Sequence, residues 1–407
     1  MQLIKKNYAL LKFISLSYFD KAIIFLVPLL VLYLFNSKSI YVSVEYIYSI
    51  VLVAVPFLDF GLTGYFFYYY REHKSKRTAI IAIFNAFHIL YAVLFTIGIL
   101  FILVHYLWIP FEDYIVFIVF RCLFVVLFMF LSSYYRLVNK PQKALFVTII
   151  SNIISLITIF CFYILKLEVN VFIVFVGQIL FCFYFFFKII KRFVKKMNIN
   201  KKVLYAILHK SFLFSWPTII QAFLIMYIAN YGKVNALHYL TLDEATLLSL
   251  TQRYAMLIQL THTSIVAFLM KDLYLEEIKE INLKILLKYI TLIILSAIVV
   301  FIVLSINWYF KAIDITSERI FQVSIAIIVY TVLWCIYSYI EIFYSRENKN
   351  IIKLYLAIVN ALVFIGVISL FSIPFLEKVI YAMTCSIFVA LVTSTGILIR
   401  RRYYFKI

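Results

Sequence analysis

Glycine, proline and acidic side chains are scarce in this chain of 407 residues: seven glycines, six prolines, and 18 Asp and Glu together. So few glycines leave no Gly-rich loop to cradle a phosphate, and neither an HExxH pattern nor a nucleophile elbow occurs. No DxD motif is present either. The five cysteines (Cys122, Cys161, Cys182, Cys335, Cys385) lie far apart inside apolar runs. Without a CxxC or a Cys/His spacing they suggest no disulfide framework and no metal site, and read as small buried hydrophobes. The apolar runs do not alternate with polar residues, which excludes a membrane β-barrel.

Apolar residues, by contrast, are abundant. The chain is 66% hydrophobic, 19% aromatic and only 14% charged, with a mean hydropathy of +1.05. A soluble domain cannot hide that much apolar surface, so the bilayer is the expected solvent, and backbone satisfaction in lipid then leaves helices. About 20 apolar residues make one span. Twelve runs qualify: 13–35, 42–66, 79–105, 114–135, 144–165, 171–190, 211–232, 245–270, 289–310, 319–343, 352–373 and 379–399. The expected fold is an all-α integral membrane protein with about twelve transmembrane helices in two six-helix lobes.

Lysine and arginine set the orientation. With the N-terminus inside, 29 of the 38 basic residues fall in inner segments, six in outer segments (Lys38, Lys166, Lys233, Lys311, Arg319, Lys378) and three within spans. Both termini are therefore expected to be cytoplasmic. The net charge of +20 follows this inside-loop rule and points to no nucleic acid partner. The densest basic stretch, Lys188 to Lys210, holds eight Lys/Arg and no acid near the chain's midpoint. It divides the chain into an N-terminal lobe (1–190), a basic cytoplasmic linker (191–210) that meets anionic inner-leaflet lipids, and a C-terminal lobe (211–407). The N-terminal Lys5, Lys6 and Lys12 before an apolar run resemble a signal peptide. Polar interruptions and the lack of a cleavage site predict a retained first helix. Residues 271–288 predict an amphipathic helix on the inner surface, and Tyr65–Tyr70 suit the aromatic interface belt. Pro28 and Pro217 occupy equivalent first helices of the two halves, a pattern of either repeated design or coincidence.

Ionisable groups inside spans are costly and call for a reason. Arg121 and Arg253 each lie eight or nine residues into a span from the outside, about 12 Å deep at 1.5 Å per residue. Two cations from different halves would suit an anion such as pyrophosphate. The alternative is snorkelling, or pairing with Glu112, Asp113 or Glu244. Lys21 could meet an anionic headgroup near the cytoplasmic mouth, or snorkel. Asp20, Asp59 and Glu341 are candidates for a coupling ion, proton or sodium. Asp59 and Glu341 could equally cap contacts with basic loops. His88, Gln221, Asn230 and His262 are polar enough to line a cavity or to bond between helices. Glu45 is expected at the outer interface. No catalytic residue, metal ligand or cofactor is expected, so the chain does not read as an enzyme.

The two-times-six helix plan, short outer loops and basic central stretch resemble the multidrug/oligosaccharidyl-lipid/polysaccharide (MOP) exporter superfamily. Leu58-Asp59-Phe60-Gly61-Leu62-Thr63-Gly64 followed by Arg71 resembles the end of helix 2 in its O-antigen and polysaccharide (Wzx-type) flippases. His209–Asn230 resembles the start of their helix 7, although Asn230 and Lys233 stand where an Asp-Arg pair is usual. The resemblance implies lateral-access transport of an undecaprenyl-pyrophosphate-linked oligosaccharide from the inner to the outer leaflet of a bacterial inner membrane. It implies membrane lipids, a polysaccharide polymerase and a chain-length regulator as partners. A multidrug or small-molecule exporter of the same superfamily is the first alternative. An integral-membrane glycan polymerase is the second, but lacks the large outer loop it would need.

Overall fold

The computed structural model describes residues 2–72, 75–108, 113–138, 140, 142–194, 201–275, 280–308, 314–347, 349–401 and 404–406. Among these, twelve helices have 21 residues or more: α1 (Gln2–Phe35), α2 (Lys38–Leu58), α4 (Lys76–Leu107), α5 (Ile115–Leu137), α6 (Gln142–Ile164), α7 (Phe172–Val194), α8 (Lys201–Val234), α10 (Leu242–Leu275), α11 (Leu283–Trp308), α12 (Ser317–Arg346), α13 (Asn350–Leu370) and α14 (Phe375–Arg400). Two short helices, α3 (Leu62–Glu72) and α9 (Ala236–Tyr239), complete the set. Eleven candidate spans are long and apolar enough to cross a membrane. The all-α multi-span fold expected from the sequence is the one found.

The helix ends follow local chemistry. Ser37 and Ser75 cap α2 and α4, each accepting a backbone N–H three residues on. Thr241 and Glu244 form a reciprocal capping box at the start of α10: Glu244 N–H donates to Thr241 Oγ1 at 3.3 Å, and Thr241 N–H to Glu244 Oε2 at 3.1 Å. Lys166, at φ 52°, closes α6, with Leu167 N–H donating to the Phe162 carbonyl and Lys166 N–H to that of Tyr163. Pro28, Pro56 and Pro217 all lie inside continuous helices.

Two expectations need correction. The run 42–66 is not one helix. It stops at Leu58, because Phe60 and Gly61 adopt φ values of 50° and 65°, and restarts as α3. The stretch 271–288 is not a separate surface helix either. Its ends extend α10 and α11, residues 276–279 lie outside the described residues, and β1 (Glu280–Asn282) pairs in parallel with β2 (Tyr404–Lys406).

The chain forms two compact units, Met1–Ile219 and Ile220–Ile407. The division falls inside α8, just beyond Pro217. In the first unit α5 is central and packs against α2, α4, α6 and α7; in the second α12 packs against α10, α11, α13 and α14. Aliphatic and aromatic residues share the first core, where Phe130 meets the rings of Phe84, Phe87 and Tyr134.

Candidate functional site

In the first unit the polar groups converge on α1, α2, α5 and α6. Asp20 of α1 is fully buried, and neither carboxylate oxygen has a hydrogen-bond partner. Thr148 of α6 faces it, and the charges of Lys21 and Arg121 act on it. A carboxylate in such a place costs several kcal/mol unless cations compensate it. Arg121 of α5 is half-buried. Its guanidinium lies over the Tyr48 ring of α2, 4.7 Å from the centroid, with the Phe124 ring at 6.0 Å. Tyr48 stands ten residues past the start of α2 at Lys38, about 15 Å along the helix. The Arg121 guanidinium thus packs on a ring midway along α2, and its charge acts on Asp20. Glu112, one partner weighed for it, lies outside the described residues. Lys21 is half-exposed.

Asp59 follows the end of α2, and its Oδ2 accepts a hydrogen bond from Thr63 Oγ1 at 2.7 Å. The turn it opens is seated on the third and fourth turns of α8. Ser211 Oγ donates to the Phe60 carbonyl at 3.2 Å, and Ser215 Oγ to the Gly61 carbonyl at 3.1 Å. The stretch Leu58–Gly64 is thus joined to the early part of the stretch His209–Asn230, through Ser211 and Ser215. Glu45, expected at the interface, is instead buried at 2% exposure. It lies on α2, which packs against both α5 and α1. His88 is enclosed by Phe84, Phe87, Phe130 and Phe185, and its Nδ1 pairs with the Phe84 carbonyl of its own helix at 2.6 Å.

In the second unit, Gln221 of α8 and Glu341 of α12 are joined directly: Gln221 Nε2 donates to Glu341 Oε1 at 2.6 Å. Lys353 of α13 and Tyr337 of α12 are the further groups acting on that carboxylate. Arg253 of α10 is buried at 4% exposure, next to the fully buried Thr251. The neighbouring Gln252 Nε2 reaches the Ala229 carbonyl of α8 at 3.4 Å. His262 Nδ1 pairs with the Tyr289 hydroxyl at 2.7 Å, and that hydroxyl donates to the Cys335 carbonyl at 2.8 Å, a link across α10, α11 and α12. Asn230 bonds within its own helix, Nδ2 donating to the Met226 carbonyl at 2.8 Å.

Other charges are structural. Arg319 bridges Glu244 at 2.6 Å and Glu377 at 2.8 Å, tying together the starts of α10, α12 and α14. Arg401 pairs with Glu347. Among the described residues no group of three His, Cys, Asp or Glu is placed to hold a metal ion.

The structure thus brings together Asp20, Lys21 and Arg121 in one unit, and Gln221 and Glu341 in the other. Arg121 and Arg253 belong to different units. Sequence reasoning missed Tyr48 and Lys353. A stripe of Tyr41, Glu45 and Tyr48, spaced by four and then three on one helix face, was the available signal for the first. Lys353 stands inside α13 across from Glu341, a pairing that a tally of basic residues along the chain does not reveal.

No family model and no curated protein sequence matches the chain. Solved structures do. The lipid II flippase MurJ, in an inward closed conformation, aligns with a TM-score of 0.62 at 15% identity, covering 97% of this chain and 88% of that one. A structure named protein A aligns with a TM-score of 0.66 at 13% identity, covering 96% and 95%. The MATE transporter ClbM in complex with Rb+ aligns at 0.49 and 9% identity, covering 95% and 92%. At these identities the likeness is one of fold: the chain shares the fold of the MurJ structure.

Proposed function

We propose that the chain is a Wzx-type flippase that moves an undecaprenyl-pyrophosphate-linked oligosaccharide, the repeat unit of an O-antigen or related polysaccharide. The movement is from the inner to the outer leaflet of a bacterial inner membrane, by alternating access. The observation that carries this reading is Arg121, a guanidinium turned inward on an aromatic ring rather than led out to the headgroups. A pyrophosphate cannot cross hydrocarbon with its charge bare. An inward-held guanidinium in one unit and the buried Arg253 in the other supply compensation, with Lys21 as a third cation. The polyprenyl tail needs no such site, since the bilayer already solvates it. MurJ, whose fold this chain shares, is itself a lipid II flippase.

Glu341 is the group we assign to coupling. The glutamates held by Arg319 and Arg401 are paired with guanidinium groups that do not lose a proton. Glu341 faces a lysine and an amide instead, so its proton or sodium occupancy can change without stranding a permanent charge. Asp20 and Asp59 remain secondary candidates for this role. No step of covalent chemistry is required. A polysaccharide polymerase and a chain-length regulator would act on the exported unit.

The test is genetic. The gene is deleted in its host, surface glycan is assayed by gel, and Arg253→Ala, Arg253→Lys and Arg121→Ala are reintroduced at equal membrane abundance. The reading expects full-size lipid-linked units trapped on the cytoplasmic face in the deletion, and loss of surface glycan in both alanine variants. Full function in all three variants refutes the roles of the two arginines. Exported single units attached without polymerisation would identify a polymerase instead.

A further inference from the structure

We infer that a groove between α11 and α12 holds one acyl chain of a phospholipid whose headgroup carries an ammonium. The groove lies wholly in the second unit and owes nothing to the cargo assigned above. Its volume is about 480 Å³, it is open along one side, and its lining is apolar throughout. Ala297 of α11 and Ile328 of α12 are buried at its floor, while Ile294, Ile298, Ile325 and Val329 stand exposed along its sides. The sequence opens it at Ala297, a methyl side chain with a larger residue, Ile294 or Phe301, one turn away on either side.

Position says what kind of molecule fills it. Both helices qualify as membrane spans, over Leu283–Ile306 and Ser317–Tyr344. The sides of the groove run on into the exposed apolar face of α11, at Leu295, Val299 and Ile302. The groove is therefore continuous with the surface that lipid covers. Lipid tails are as apolar as these side chains, so packing and not the hydrophobic effect decides where a tail rests. A tail in a groove touches protein on three sides instead of one and gains more dispersion contacts. Length fits a single chain. From Phe321 to Leu333 the groove runs about 18 Å along α12 at 1.5 Å per residue. The hydrocarbon core is about 30 Å thick, so a chain from one leaflet has about 15 Å to cross.

Charge says which headgroup. The groove begins at the Phe301–Phe321 ring pair, about 6 Å along α12 from Ser317. One turn above, on the same helix face as Phe321 and Ile325, stands the exposed Glu318, with Gln322 Nε2 donating to its Oε1 at 3.4 Å. The adjacent cation, Arg319, is engaged by Glu244 and Glu377. A headgroup over this end of the groove meets a carboxylate, which favours an ammonium and disfavours a headgroup that is only anionic.

The test is photolabelling of the full chain in phosphatidylglycerol liposomes doped with phosphatidylethanolamine that carries a diazirine midway along one acyl chain. Adducts are mapped by mass spectrometry. Leu362 of α13 is the reference. It lies about as far from the end of its helix at Leu370 as Ile325 does from Ser317, about 12 Å, on the same side of the membrane. It is also more exposed, at 65% against 38% for Ile325, so random collision labels Leu362 more. The inference expects Ile298 and Ile325 to exceed Leu362 about fivefold. Ala297→Phe fills the floor and should bring them down to Leu362, whose own labelling stays unchanged if the fold holds. Glu318→Gln should reduce the groove labelling to that of a phosphatidylglycerol probe with the same diazirine. Groove labelling no higher than Leu362 in the parent chain overturns the inference, whatever the variants do. So does displacement of the probe by farnesyl pyrophosphate, which makes this a prenyl site. Labelling that emerges only when the chain is diluted in lipid seats a second copy there and overturns it as well. Equal groove labelling by the two headgroups in the parent chain overturns the assignment of the ammonium.

Discussion

Replacing Gly61 with alanine tests the joint between the α2–α3 turn and α8. Two costs add. Gly61 sits at φ 65°, a left-handed conformation that costs a Cβ-bearing residue about 1–2 kcal/mol. A Cβ built there also overlaps both Cβ and Oγ of Ser215, and forced overlap in a packed site costs about 1–3 kcal/mol. Relieving it by moving α8 breaks the hydrogen bond from Ser215 to the Gly61 carbonyl, worth about 1 kcal/mol. Gly61→Ala should therefore destabilise the chain by about 2–5 kcal/mol, read as unfolding in detergent micelles with rising SDS. The partner substitutions identify the cause. Adding Ser215→Gly removes the overlapped atoms and should restore the overlap share, about 1–3 kcal/mol, leaving the φ cost. Adding Ser215→Ala keeps the offending Cβ and should restore little. A loss below about 1 kcal/mol for Gly61→Ala, or equal rescue by both partners, refutes the reasoning.

Three further outcomes are expected. Tyr289→Phe removes one hydroxyl that serves both His262 and the Cys335 carbonyl, and should cost about 1–3 kcal/mol in the same unfolding assay, more than a single interhelical bond. Arg319→Gln leaves Glu244 and Glu377 facing each other without their shared cation. It should lower the melting temperature by an amount that shrinks with added salt, since the pairs are partly exposed. Burial pushes the Asp59 carboxyl, just past the end of α2, up to about 6 against the pull of its Thr63 hydrogen bonds. The folded chain then holds this proton more tightly than the unfolded one, so stability is greatest below about pH 4 and falls as pH rises through about 6. Melting curves from pH 4 to 8 should show that slope, worth up to about 3 kcal/mol, and Asp59→Asn should flatten it.

The helices were legible because each long apolar run has one stable solution in lipid, and the runs are separated by charge. Breaks were harder to read. The run through 42–66 stays apolar across Asp59-Phe60-Gly61, and hydropathy does not register a φ change. Charges near span ends were misread for a related reason: a count along the chain cannot tell a loop lysine from Lys353, which belongs to the first turn of α13 and faces Glu341. Glu45 reads as interfacial by its position near the start of a span, but its burial depends on the helices that pack over α2. At the candidate site, the depth of Arg121 followed from helix counting alone. Its direction did not, because that depends on Tyr48, a residue in another helix and 73 positions earlier.

One close approach also limits how lipid can move. A Cβ on Gly177 of α7 would overlap the Ser151 carbonyl of α6, and Ser155 Oγ donates to the Val174 carbonyl at 2.8 Å. Here α6 and α7 meet at Gly177 against the Ser151 carbonyl, and the Ser155 side chain ties them together. If the chain carries a polyprenyl-linked cargo as proposed, the tail of that cargo cannot thread this seam. Any lateral path for lipid through the first unit must open between other helices, and a bulky residue at position 177 would pry the seam apart before it admitted a lipid.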